Sequence, residues 1–208
     1  MKKIFGFCRV ILLALAVIGM YVSNASASIV YSYLGNNFDH IIDSTPPAGT
    51  TYDTSMFVEG SFTTQTILGP SMPMTPINGL IQSFSFSDGF TELTNVNTTS
   101  SDIEVATDSS GAIIQWDINL NIDSFSYIIG DQSFQIQSVN QSADVFDSGR
   151  LSEIINVSPD GLSVTGQYDE GKITNNPGTW SVVPIPSALW LLGSGLIGIV
   201  GIRRRINK

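Results

Sequence analysis

Between Ile114 and Asp123, apolar and polar side chains alternate without a break. Ile114, Trp116, Ile118, Leu120 and Ile122 interleave with Gln115, Asp117, Asn119, Asn121 and Asp123. A helix would scatter that pattern around its circumference, whereas a strand sends successive side chains to opposite faces. Five apolar positions in step with a period of two therefore define a strand with one wet and one dry face. Ile103-Glu104-Val105 leads into Asp108-Ser109-Ser110-Gly111, a turn that pairs the two segments as a hairpin. Beyond Asp123 the apolar set changes parity to Phe125, Tyr127 and Ile129, which predicts a bulge near Ser124.

Further short runs read as strands at Ile29 to Tyr33, Met56 to Thr66, Leu80 to Phe86, Phe134 to Ile136, Ser142 to Phe146, Leu162 to Tyr168 and Trp180 to Val182. Thr45-Pro46-Pro47-Ala48-Gly49, Asp88-Gly89, Gly130-Asp131 and Ser158-Pro159-Asp160-Gly161 separate them as turns. Many short strands and no helical period call for an all-β domain, an antiparallel β-sandwich of jelly-roll-like type, over residues 28–171. The stretch 172–182, with Asn175-Asn176-Pro177-Gly178 at its centre, reads as a linker. Trp116, on the apolar parity of its strand, is expected in the core.

The two ends of the chain have a different character. Lys2, Lys3 and Arg9 flank the start of an apolar stretch from Val10 to Val22, and Ala25-Ser26-Ala27 follows. A basic start, an apolar middle and an A-x-A site make residues 1–27 a secretory signal peptide cleaved after Ala27, with Ala25 at the other small position. Cys8, the single cysteine, leaves with it. The mature chain then has neither disulfide nor thiolate chemistry. At the other end Ile185 to Ile202 contains no charge, and Arg203, Arg204, Arg205 and Lys208 come after it. At about 1.5 Å per residue that run reaches roughly 27 Å as a helix, close to the ~30 Å of a bilayer core. Pro184 and Pro186 lack the amide donors of a helix interior, so the transmembrane helix is expected over 187–202. Trp190 falls one turn inside, at the depth of the interface, and the arginines stay on the cytoplasmic side. Gly193, Gly195, Gly198 and Gly201 keep the span thin and easily disturbed.

Taken in order, Val183-Pro184-Ile185-Pro186, the apolar run and the basic cluster resemble the PEP-CTERM sorting signal of Gram-negative bacteria, in its V-P-x-P form. Ile185 stands where the family's name-giving Glu would be. The resemblance covers residues 183–208. It implies export through the Sec translocon and transient anchoring in the inner membrane with the domain in the periplasm. It also implies processing by an exosortase at Val183 to Pro186, in bacteria that make extracellular polysaccharide. Tyr31-Ser32-Tyr33-Leu34-Gly35-Asn36-Asn37-Phe38 resembles the start of many ectodomains of the same group.

Charge divides along the same boundaries. Residues 28–182 hold all eighteen acidic residues against only Arg150 and Lys172, a net of −16. Such a segment repels nucleic acid and anionic lipid. His40 is the lone histidine, so a zinc site would have to be built from carboxylates, which suit calcium better. Asp39-His40 lacks the G-x-S-x-G elbow that would accompany a serine nucleophile. Asp102/Glu104 and Asp169/Glu170 are acidic pairs, but a glycosidase needs two carboxyls facing one cleft. Asp108 to Gly111 lacks the ligand spacing of an EF-hand. No catalytic residue, metal site or cofactor emerges. The expectation is a non-enzymatic protein of the cell surface or extracellular matrix, associated with exopolysaccharide or biofilm. The alternatives are a polysaccharide- or calcium-binding module and a permanently membrane-anchored surface protein.

Overall fold

The computed structural model describes residues 28–44, 51–123, 128–158 and 164–184. Within them twelve strands form two antiparallel sheets. The strands are β1 (Ile29–Leu34), β2 (His40–Asp43), β3 (Glu59–Thr64), β4 (Thr75–Pro76), β5 (Ile81–Ser87) and β6 (Glu92–Thr94), then β7 (Ser100–Thr107), β8 (Ile113–Asp123), β9 (Gln132–Asn140), β10 (Val145–Val157), β11 (Val164–Thr174) and β12 (Thr179–Pro184). One sheet runs β12-β1-β3-β5-β6 and the other β2-β11-β10-β9-β8-β7-β4. The connectivity departs from the jelly-roll-like expectation. Strands β7 to β11 form an uninterrupted meander in one sheet, where a jelly roll would interleave Greek keys between two sheets.

The dry faces of the two sheets share one core. Tyr31, Phe62, Phe86 and Leu93 come from the five-stranded sheet, and Ile103, Ile118, Leu120 and Ile136 from the seven-stranded one. The alternation in β8 delivers Trp116, Ile118 and Leu120 to this core, with Trp116 only 3 % exposed. Ile114 is the exception. It is 50 % exposed, and its neighbour Ile113 is buried instead. The cause is a register shift between β7 and β8, where Ala106 faces Gln115 but Thr107 faces Ile113. The extra residue reverses parity for the start of the strand. A bulge thus sits at the near end of β8. Ser124, where the sequence placed one, lies outside the described residues.

The hairpin between β7 and β8 closes as expected. Asp108 Oδ1 accepts from the amides of Ser110 and Ala112 and from the Ser110 hydroxyl, and Gly111 takes a positive φ of 86°. These donors hold the exposed Asp108 carboxyl below the usual range, the Ser110 hydroxyl foremost.

Segment 172–182 is corrected most. Lys172 to Thr174 finish β11, and Thr179 to Val182 belong to β12, which pairs along the whole of β1 from Leu34↔Thr179 to Ile29↔Pro184. Only Asn175 to Gly178 connect them. The Pro-Gly signal marked a turn between strands, and the compact unit reaches Pro184. The sequence also left out β2, and it stopped β10 at Phe146 although that strand continues to Val157.

A bare position on β10 lets the two sheets approach. Gly149 on β10 lies directly beneath the Asp88 carboxylate, where an added Cβ would collide with it. Gly149→Ala is expected to destabilise the domain by about 1–3 kcal/mol through overpacking. Urea unfolding of the two proteins measures this, and equal midpoints would contradict it.

Candidate functional site

Of the sorting motif, the structure describes Val183 and Pro184, which end β12. Val183 pairs with Val30 and Pro184 with Ile29, so the two ends of the domain lie side by side at one end of the sheet. The side chain of Val183 is exposed on the outer face, opposite in parity to Trp180. Ile185, Pro186, Trp190, Gly193, Gly195, Arg203, Arg204 and Arg205 lie outside the described residues, as do Ala25 and Ala27. Among the described residues no helix is long and apolar enough to cross a membrane, and the span read at 187–202 is not among them.

What fixes β12 is an aromatic cluster between the sheets. Trp180 is directly opposite Tyr33 and packs on four rings: Tyr33 at 5.1 Å, Phe62 at 5.4 Å, Trp116 at 6.1 Å and Phe86 at 6.4 Å. Aromatic pairs at these separations add to the burial of apolar surface. Trp180 Nε1 is buried without a hydrogen-bond partner, and we have no physical account of it. Trp180→Ala should lower stability by about 3 kcal/mol or more, read by thermal or urea unfolding.

Three carboxylates are buried in the domain, none of which the sequence singled out as a buried anchor. Asp147 on β10 is 1 % exposed. It accepts from the Tyr33 hydroxyl at 2.8 Å and from Ser138, whose Oγ receives Trp116 Nε1–H at 2.8 Å. The amide of Gly178 donates to the Tyr33 oxygen at 2.9 Å. This chain of bonds ties β1 and the loop before β12 to β8, β9 and β10 of the opposite sheet. Asp88, at the end of β5, accepts from the Tyr52 hydroxyl at 2.6 Å and from the amides of Phe90 and Thr91. Asp169 on β11 accepts from Thr51 Oγ1 and from the Ser44 amide, both at 2.7 Å.

Burial is the main cause that pushes the Asp147 carboxyl up, to about 6, against the stabilising bonds from Ser138 and Tyr33. Burial likewise raises Asp88, and it raises Tyr33 and Tyr52, each further raised by the aspartate it touches. A carboxyl with a folded pKa above its unfolded value near 3.9 holds an extra proton in the folded state between the two. Its stabilisation is full below about pH 4 and is lost as pH rises through 6. Wild-type protein should therefore lose up to ~3 kcal/mol between pH 4 and 7 through this group. Asp147→Asn, which cannot ionise, should lack that part of the slope. Denaturant titrations of both proteins across the range measure it, and parallel pH profiles would contradict it.

The other candidate groups do not assemble into a reaction centre. Asp169 and Glu170 are neighbours on β11 and point to opposite faces, Asp169 inward. Asp102 and Glu104 share the outer face of β7, and Asp102 helps raise Asp117 across the strand pair, second to burial. His40 is exposed at the start of β2. Among the described residues no three His, Cys, Asp or Glu side chains are grouped to hold a metal ion. No protein-family model matches this chain, no curated protein matches it, and no solved structure matches it.

Proposed function

We propose that this chain is an exported, non-enzymatic surface or matrix protein, delivered by the Sec translocon and sorted by an exosortase. The observation that carries the reading is the ordered tail: Val183-Pro184-Ile185-Pro186, an uncharged run to Ile202, then Arg203, Arg204 and Arg205. In this reading the transmembrane helix 187–202 holds the domain at the periplasmic face of the inner membrane. The exosortase supplies the chemistry, the chain supplies the substrate motif, and the released domain joins an exopolysaccharide matrix. The pairing of Ile29 with Pro184 supports it, because both flanking segments leave the domain at the same end.

In this reading, processing has to leave β12 in place. A protease needs its substrate extended and free, yet Val183 and Pro184 are engaged with β1 and Trp180 is bound into the core. Cleavage that leaves the domain intact falls at or beyond Pro184. Mass spectrometry of the exported form should find a C-terminal peptide that includes Trp180 and ends between Pro184 and Ser187. A mature protein that retains Leu189 to Arg203 would overturn the processing reading in favour of permanent anchoring. One that ends before Trp180 would overturn the role given to β12.

A further inference from the structure

The outer face of the seven-stranded sheet carries a built polar cleft that neither the sorting signal nor the core requires. Antiparallel register aligns its residues in rows that cross the strands. Ser100, Asn121, Gln135, Arg150 and Glu170 form one row, and Asp123, Ser133, Ser152 and Tyr168 the next. Neighbours within a row are separated by about 4.7–4.9 Å, the strand spacing. Between the rows lies an open cleft of about 280 Å³, lined by Asn121, Gln135, Arg150 and Ser152 from the outer face, with Ile122 and Phe134 between them turned toward the core.

The polar groups are preset. Asn119 Oδ1 accepts from Asn121 Nδ2 at 2.9 Å and from Gln135 Nε2 at 3.2 Å. Those bonds fix both amides and leave their carbonyl oxygens as acceptors. The Arg150 guanidinium lies 4.1 Å over the Tyr168 ring and lines the cleft. Donors and acceptors thus stand at close spacing across neighbouring strands.

We propose that this cleft binds a neutral polysaccharide through the vicinal hydroxyls of one sugar unit. A diol both donates and accepts, which matches Arg150 beside the carbonyls of Asn121 and Gln135. Anionic ligands are disfavoured: Glu170 stands in register beside Arg150, Asp123 lines the same cleft, and the segment carries −16. The cleft is shallow and smaller than the ~300–1,000 Å³ of an enclosed ligand pocket. A chain running on across the sheet suits it better than a free small molecule. The site depends on the export reading only for where the polymer is met.

Binding is tested on the full chain purified in a sugar-free detergent, by affinity electrophoresis and calorimetry with dextran, galactomannan, xyloglucan and the polyuronate alginate. At least one of the three neutral polymers should bind. Arg150→Ala and Gln135→Ala should each weaken it at least about tenfold, the scale of a lost hydrogen bond to a charged or preset group. Lys172→Ala, on a neighbouring row of the same face, should leave it within about twofold. Unfolding curves establish that each variant is folded, and Gln135→Ala carries the test if Arg150→Ala does not fold. No binding to any neutral polymer overturns the proposal, as does tighter binding to alginate or binding indifferent to both substitutions. A tail that is never processed would sink the sorting reading while leaving these affinities unchanged.

Discussion

Pairing of β1 with β12 is the constraint on which the rest of the domain relies. It closes the five-stranded sheet with the two most distant strands in the chain, Ile29–Leu34 and Thr179–Pro184. Through Trp180 it also completes the ring cluster that joins the sheets. Without β12, Tyr33 would lose the amide of Gly178 and the indole that packs on it, and the Asp147 carboxylate would face a loosened partner. Val183 and Pro184, the start of the proposed sorting motif, therefore belong to a strand that the fold cannot spare.

Buried aspartates do the joining that disulfides do in many exported proteins. Asp88, Asp147 and Asp169 each reach from one element to the hydroxyls or amides of another, and each is nearly fully shielded from water. A buried carboxylate is tolerated only where donors surround it. The donors are local, such as Phe90 and Thr91 for Asp88, or come from the facing sheet, such as Tyr33 for Asp147. Such contacts fix a single arrangement of the sheets better than apolar packing alone, and they make that arrangement sensitive to pH.

Where side chains alternate strictly, the sequence could be read. Trp116, Ile118 and Leu120 went to the core as their parity required, and the Asp108 turn closed the hairpin it predicted. Ile114 misled because a bulge has no signature in the apolar pattern beyond the adjacent Ile113, which fits either parity. Most of β10 was missed for another reason. Asp147, Ser148 and Gly149 are inward or buried but polar or bare, so the strand shows no alternation there. Their burial is explained by partners distant in the chain, Tyr33 and Asp88, which no local window can see. The outer-face cleft was illegible for the same reason, since Asn121, Gln135 and Arg150 become neighbours only through register.

The strand order also governs when the domain can form. β1 emerges first, but its partner β12 is the last element, so the five-stranded sheet stays incomplete until nearly all of residues 28–184 are present. Contacts so far apart in sequence close slowly. The outer edge of β1 thus stays open, and the ring cluster unfinished, until the final segment arrives, a delay that would suit a chain exported unfolded as proposed.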